Sequence, residues 1–197
     1  MTHESSVPEF MTEDYKIFTI YKPTKGFVWT RARIIYVLFA LPLLFMAPAF
    51  ILGIPDKEIP HWLLWIAFPP MFIALIGSCI NIFFPEELKG QLQGKLIFEK
   101  EKITIDNEVF STKDLQYIEI IQNDHKGRYI GRNGLDGQFS QGCNNQLKIR
   151  RLNYEERLVF FQIKQIRELL QISNQLNYYI ELGLMTKEAR NSTLNYK

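Results

Sequence analysis

Two long stretches without a single charged side chain constrain this chain more than any other feature. From Ile34 to Pro55 the sequence reads IIYVLFALPLLFMAPAFILGIP, and from Ile59 to Pro85 it reads IPHWLLWIAFPPMFIALIGSCINIFFP, with His61 counted as neutral. Each exceeds the roughly 18–20 residues a helix needs to cross a ~30 Å hydrocarbon layer. A helix of a soluble protein normally keeps a polar face, and neither run has one. The expectation is a transmembrane helical hairpin over 32–85, with spans at about 33–54 and 61–84. Only Asp56 to Glu58 separates the apolar runs, which forces the two helices to be antiparallel.

Orientation follows the lysines and arginines, which favour the cytoplasmic side. Lys16, Lys22, Lys25, Arg31 and Arg33 precede the first span, Lys89, Lys95, Lys100 and Lys102 follow the second, and the link holds only Lys57. Both termini are therefore expected in the cytoplasm, with 1–31 as a cytoplasmic N-terminal segment. Trp29, Trp62 and Trp65 fall near the expected interfaces. The opening MTHESSVPEF is acidic and polar and does not read as a cleavable signal peptide. Pro42, Pro48, Pro69 and Pro70 interrupt the spans. The carbonyls they free must be satisfied by neighbouring helices or hydroxyl side chains. Ala74 and Ser78, with Gly77 beside them, have the small-residue spacing that lets backbones approach. Helix contact within the hairpin, or between copies in a homo-oligomer, is the corresponding expectation. No acid or base lies inside either span, which argues against an ion pathway.

After Pro85 the period changes to two. Leu96 and Phe98, Ile103 and Ile105, Ile118 and Ile120, then Leu147 and Ile149, and Leu158 and Phe160 are each expected to share a face. Short polar turns separate these runs, the signature of antiparallel hairpins, and the LVFF strand reads as core. From Ile163 the spacing of Ile166, Leu169, Leu170, Leu176 and Ile180 predicts an amphipathic helix of about 18–20 residues. Gly183 is its expected C-terminal cap. The order is thus α+β: a two-helix hairpin, then antiparallel strands over 88–184 closed by a terminal helix, then a polar tail over 185–197.

These elements resemble the bacterial membrane-anchored pleckstrin-homology-like (PH-like) domain family. The resemblance is carried by GKLIFEKEKITI, VFSTKDLQYIEI, NQLKIRR with RLVFFQI, and the helix IRELLQISNQLNYY. It covers about 90–182 and rests on pattern rather than on an invariant motif. It implies an antiparallel barrel or sheet plugged by a helix, in the bacterial cytoplasmic membrane, with a mostly non-enzymatic binding role. Phosphoinositide-binding members use basic residues between their first two strands. That link is read here as the tight turn Glu99 to Lys102, whose alternating charge forms no deep cradle, so inositol-phosphate recognition is not carried over.

One polar stretch remains, NDHKGRYIGRNGLDGQFSQGCNN from Asn123 to Asn145, which holds five of the chain's eleven glycines. Its spacing matches neither the P-loop nor the dinucleotide fingerprint. It is expected to connect two strands, with repeated need for positive φ. Lys126, Arg128 and Arg132, beside Tyr129 and Ile130, make it a candidate anion nest or contact for anionic lipid headgroups. Lys148, Arg150 and Arg151 form a second basic cluster, read either as a strand face paired with Glu155 and Glu156 or as a dock for an acidic partner. His125 beside Asp124 reads as a turn histidine. Cys143 and Ser140 lack a base at recognisable spacing, so no nucleophile is assigned. Cys79 and Cys143 are not expected to pair, and no cofactor or metal is predicted.

The formal net charge of +2 is too weak for a nucleic-acid binder. The function read from the residues is a non-catalytic, membrane-anchored interaction or scaffold module on the cytoplasmic face. Its partners would be the lipid bilayer and a protein not identified by the sequence. The alternatives are an accessory or regulatory subunit of a membrane transport or signalling complex and, behind both, an enzyme acting on a lipid or nucleotide.

Overall fold

The computed structural model describes residues 15–55, 58–131 and 135–194. They form two compact units. One comprises the residues up to Tyr21, 92–123 and 144 onward; the other comprises 22–91 and 124–143.

The first unit is built on an antiparallel sheet. Its strands are β1 (Lys16–Pro23), β2 (Gly90–Phe98), β3 (Lys102–Ile105), β4 (Glu108–Ser111), β5 (Leu115–Ile121), β8 (Asn145–Arg151) and β9 (Glu156–Gln162), with β6 and β7 in the other unit. The order across the sheet is β4-β3-β2-β1-β9-β8-β5. Strands β4 and β5 are its edges, so it is an open sheet and the closed-barrel form of the expectation is corrected. Strand β1 is the second surprise. It lies within the segment read as an N-terminal extension, yet it occupies the middle of the sheet, pairing Thr19 with Gln162 and Ile20 with Phe161. Its alternating Phe18 and Ile20 are both buried. The turn Glu99 to Lys102 therefore joins the second and third strands, and the whole helical hairpin is the link between the first two.

The period-two reading fares well on most strands. Leu96, Phe98, Ile103, Ile118, Ile120, Leu147 and Ile149 are all buried in one core, with Ile105 partly buried against it. Strand β9 is the exception. Phe161 is fully buried and packs edge-on against Phe18 and Phe98, with ring centroids 5.4 and 6.5 Å apart, whereas Leu158 is 54% exposed. Phe160 shares Leu158's face, so its assignment to the core is corrected. The register fixes this, because Phe161 pairs with Ile20 and Asn145. A shift of one residue exchanges the faces of a strand.

The terminal helix is shorter than expected. A 3₁₀ turn spans Glu168–Ile172, and α3 covers only Ser173–Glu181. Glu168 turns back to accept hydrogen bonds from the backbone N–H groups of Lys164 and Gln165, at 2.6 and 3.3 Å, which holds the preceding segment out of the helix. The face that enters the core is Leu169, Ile172, Leu176 and Tyr179, spaced by three and four. Ile166 and Leu170, expected on that face, are 45% and 43% exposed. Gly183 ends the helix with φ +73°, the left-handed conformation favoured at a C-cap. In the segment read as a polar tail, α4 (Lys187–Leu194) lies along β5, where Thr193 donates to the Ile120 carbonyl at 2.7 Å. Together with Ile118 N–H donating to Leu184 O at 2.8 Å, this covers the β5 edge.

The second unit contains the apolar helices α1 (Arg31–Ile51) and α2 (His61–Asn81). Their mean hydropathies are 2.5 and 2.1, and each is long and apolar enough to span a membrane. Thr30 caps α1, its hydroxyl accepting from Arg33 N–H at 3.3 Å. The buried residues are Ala32, Ile35, Pro42 and Ala49 on α1 and Ala67, Ala74 and Ser78 on α2, a narrow seam along each helix. Small side chains at near-heptad spacing let the two backbones close on each other. Ala74 and Ser78, singled out in the sequence, sit in this seam. Ser78 Oγ donates to the Leu75 carbonyl within its own helix at 2.7 Å. Outside the seam the side chains are open, with Leu44, Phe50, Trp65 and Phe72 between 63% and 81% exposed. Asp56 and Lys57 of the connecting turn lie outside the described residues.

Candidate functional site

The glycine-rich stretch folds as a short β-hairpin fastened to the end of α2. Its strands are β6 (Lys126–Tyr129) and β7 (Phe139–Gln141), with Lys126 opposite Gln141 and Tyr129 opposite Phe139. The register slips between these pairs, and Gly127, at φ +83°, supplies the left-handed residue in the irregular strand. The stretch leaves the first unit after Asn123 and returns at Asn145. There the Asn145 side chain accepts from Asn123 N–H at 3.0 Å and donates to Phe161 O at 3.3 Å, so exit and re-entry are pinned together.

Within the second unit the hairpin descends alongside the segment that follows α2. Gln141 Nε2 donates to the Glu86 carbonyl at 3.2 Å, and Glu86 N–H donates to Phe139 O at 2.7 Å. Phe139 and Pro85 form a parallel bridge. Further down, a Cβ added to Gly137 would lie 2.4 Å from Phe84 O and 2.6 Å from Pro85 O, so only glycine fits there. Lowest, the Asn81 side-chain amide donates to Leu135 O, at the last residue of α2. Successive residues of the strand thus march past successive residues of the helix end, with Leu135 at the level of Asn81.

Two carboxylates and a hydroxyl lock this arrangement. Ser140 is fully buried and donates to Asp124 Oδ2. Glu86 Oε1 lies 3.3 Å from the same hydroxyl and accepts from Gln141 N–H at 3.4 Å. Gly142 N–H donates to Ser140 Oγ at 2.9 Å, and His125 N–H donates to Asp124 Oδ1 at 2.9 Å. Cys143 sits beside them. Burial, then the negative charges of Glu86 and Asp124, push its thiol up to about 12. It stays protonated at neutral pH, the opposite of an activated nucleophile. The His125 ring contacts the Lys126 carbonyl at 3.2 Å rather than the hydroxyl. Both cysteines are free. Among the described residues, no three His, Cys, Asp or Glu side chains gather as a metal site.

The exposed side of the hairpin carries the first set of candidate residues. Lys126, Arg128 and Tyr129 are exposed on β6, and the Tyr129 ring lies 6.1 Å from that of Phe139. Arg132 lies outside the described residues. At the start of α1, Arg31 Nε is 3.0 Å from Glu87 Oε1, within ion-pair range but without hydrogen-bond alignment. Arg31 also donates to Pro85 O at 2.8 Å and stacks 4.9 Å over Phe84, which ties the two helix ends together. Arg33 lies 4.3 Å over Phe27, whose ring meets Trp29 at 5.2 Å.

The second candidate set lies on β8, in the sheet unit, and every member has an acid within reach. Lys148 and Arg150 both hold Glu156, at 3.2 Å and, through Arg150 Nε, 2.8 Å. Hydrogen bonds from Arg150, then Lys148, hold the Glu156 carboxyl below its ordinary range. Arg151 binds Glu155 at 3.1 Å and Glu108 at 2.8 Å, and stacks 4.5 Å over Phe110. Since Glu108 is on edge strand β4, Arg151 pins the open side of the sheet. Sequence reasoning named the seven basic and aromatic candidates, of which Arg132 lies outside the described residues. It missed Asn81, Glu86, Asp124, Gly137 and Ser140, which place the hairpin. A visible signal was the Asn81 amide at the end of an otherwise apolar run.

Comparison of the chain with protein-family models, with curated proteins and with solved structures gives no match.

Proposed function

We propose that the chain is a non-catalytic, membrane-anchored PH-like interaction or scaffold module on the cytoplasmic face of a bacterial membrane. The observation that carries the anchor is the exposure of α1 and α2. A soluble protein buries its apolar helices, but only 17% of the most apolar window of each is buried here. Side chains such as Leu44, Trp65 and Phe72 face outward, as lipid-facing residues do. The lysine and arginine distribution supports cytoplasmic termini. An antiparallel sheet covered by a C-terminal helix supports the PH-like reading of the first unit.

Cysteine labelling in intact cells tests the topology. In a chain with Cys79→Ser and Cys143→Ser, a membrane-impermeant reagent is expected to reach Lys57→Cys without permeabilisation and Ile130→Cys only after it. The reverse pattern would overturn the orientation. The accessory-subunit reading is favoured by one feature, an apolar groove of about 590 Å³ along the helices, lined by Phe39, Phe68, Met71 and Phe72. Affinity purification in mild detergent separates the two. A partner retained by the sheet unit after groove substitutions fits the scaffold module, and a partner lost with Phe68→Ala and Phe72→Ala fits the subunit.

A further inference from the structure

We infer that the start of α1, with the segment that follows α2, forms a binding site for the headgroup of an anionic phospholipid, built from Lys25, Arg33 and Lys89 beside Phe27 and Trp29. The inference rests on the membrane-anchor reading of the two helices.

Level is the first argument. Arg31, the first residue of α1, donates to Pro85 O at 2.8 Å, just past the end of α2, so the two helix ends share one level. Around it the large apolar side chains face outward: Phe27 is 70% exposed, Trp29 63% and Phe83 78%. The Phe27 and Trp29 rings meet edge-on, 5.2 Å between centroids. An exposed apolar patch rimmed by polar groups marks an interaction surface, and tryptophan is enriched where membrane meets water. The charge-free run begins at Ile34. With α1 across a bilayer, these rings flank its boundary.

Charge is the second. Arg33 stands at the edge of the apolar run, yet its guanidinium folds back from it, lying 4.3 Å over the Phe27 ring and donating to the Val28 carbonyl. Both contacts are neutral. They position the cation without offsetting its charge, and they leave further N–H donors of the fork for a phosphate oxygen. Arg31 differs, because Glu87 lies 3.0 Å from it and offsets its charge. Thr24 N–H donates to Lys89 O at 2.8 Å, so Lys25 and Lys89 belong to neighbouring backbone segments. Both lysines are exposed, and neither pairs with an acid among the described residues. The adjacent acids are engaged elsewhere, Glu86 with Ser140 and Glu87 with Arg31. Three cations beside two interfacial rings match a negatively charged headgroup, and each basic residue near an anionic surface is drawn to its potential.

Tryptophan fluorescence of the full chain in nanodiscs tests the inference, with Trp62→Phe and Trp65→Phe leaving Trp29 as the sole emitter. Phosphatidylcholine discs carry an equal small fraction of either brominated phosphatidylglycerol or brominated phosphatidylcholine, and quenching gives the relative association constant of each lipid beside Trp29. A second reporter, Leu44→Trp in a chain whose native tryptophans are all replaced by phenylalanine, reads the anchor. The expected result is a constant about tenfold or more in favour of phosphatidylglycerol, reduced at high salt. Lys25→Gln, Lys89→Gln and Arg33→Gln should each lower it by up to roughly fivefold, with the Leu44 reporter still quenched in each variant. Equal quenching of Trp29 by the two lipids overturns the inference. A preference that survives all three substitutions also overturns it, because other groups would then hold the lipid. Trp29 quenched by neither lipid, beside a quenched Leu44 reporter, overturns the site and leaves the anchor standing. A Leu44 reporter quenched by neither lipid would instead sink the anchor itself.

Discussion

Two neighbouring hairpins in the sequence, β6–β7 and β8–β9, hold their shape by opposite means. Hairpin β8–β9 has a buried apolar face of Leu147, Ile149 and Phe161, and its outer face is stitched by Lys148 and Arg150 to Glu156. Hairpin β6–β7 places none of its described residues in the hydrophobic core. It is held by hydrogen bonds to Asn81 and Glu86, a buried serine between carboxylates, and one glycine that fits against a backbone. The lesson is about charge as much as order. Basic residues occur in both, but on β8 each has an acid within 3.2 Å across the strands or turn, so the cluster is structural. Beside β6, Glu86 and Asp124 serve the latch around Ser140.

The comparison breaks most sharply at the core. Phe161→Ala is expected to destabilise the sheet by about 3–5 kcal/mol, as a fully buried aromatic does, and Phe160→Ala by much less. Chemical denaturation of the detergent-solubilised chain, followed by hydrogen exchange in 145–162, measures both. Equal losses would mean that β9 is paired one residue out of register.

A smaller effect is expected at the latch. Ser140→Ala removes the hydroxyl donor to the buried Asp124 carboxylate, and Gly137→Ala pushes a methyl group onto the Phe84 and Pro85 carbonyls. Each should cost about 1–3 kcal/mol. Amide exchange should rise across 124–143 and stay unchanged in 145–162. Cys143 gives a chemical readout in a Cys79→Ser chain. Its thiol, raised from the ordinary 9.0 to about 12, should alkylate slowly at pH 8 and faster in either variant. The sign follows from the raised value. The thiol's contribution to stability is fully present below pH 9 and is lost as the pH climbs toward 12. Fast alkylation in the unaltered chain would argue against a closed latch.

The smallest effect belongs to the stitching. Glu156 is exposed and its carboxyl is held low by Arg150 and Lys148. The stabilisation this gives is present above the ordinary carboxylate range and is lost as pH falls through the depressed folded value. Glu156→Gln should therefore flatten the acid limb of the stability curve slightly and leave neutral stability almost unchanged. A large loss at pH 7 would show that the β8 cluster does more than stitch.

The same contrast explains what could be read from the residues. Period-two runs such as Leu96–Phe98 and Leu147–Ile149, and the two charge-free stretches, announce themselves because burial repeats with the geometry of the element. Phe160 and Phe161 show the limit, since adjacent aromatics carry no phase and only pairing with β1 decides which faces inward. Strand β1 escaped because the helical hairpin separates it from its partners, and a fragment starting at residue 88 would lack it. The latch escaped because Asn81, Asp124 and Ser140 are polar residues whose partners lie far away in sequence. A seam of alternating charge, by contrast, placed Lys148, Arg150 and Glu156 together from the start.

The insertion of α1 and α2 between β1 and β2 has a consequence for synthesis. Strand β1 leaves the ribosome before the apolar helices, but its neighbours β2 and β9 come after them, and Thr19 must find Gln162. At about 5–20 residues per second, β1 waits roughly seven to thirty seconds for β9 to be made. During that interval Phe18 and Ile20 have no sheet to enter. Nascent-chain length, rather than local propensity, therefore sets when the sheet can close, and both apolar helices are complete before the sheet they interrupt can form.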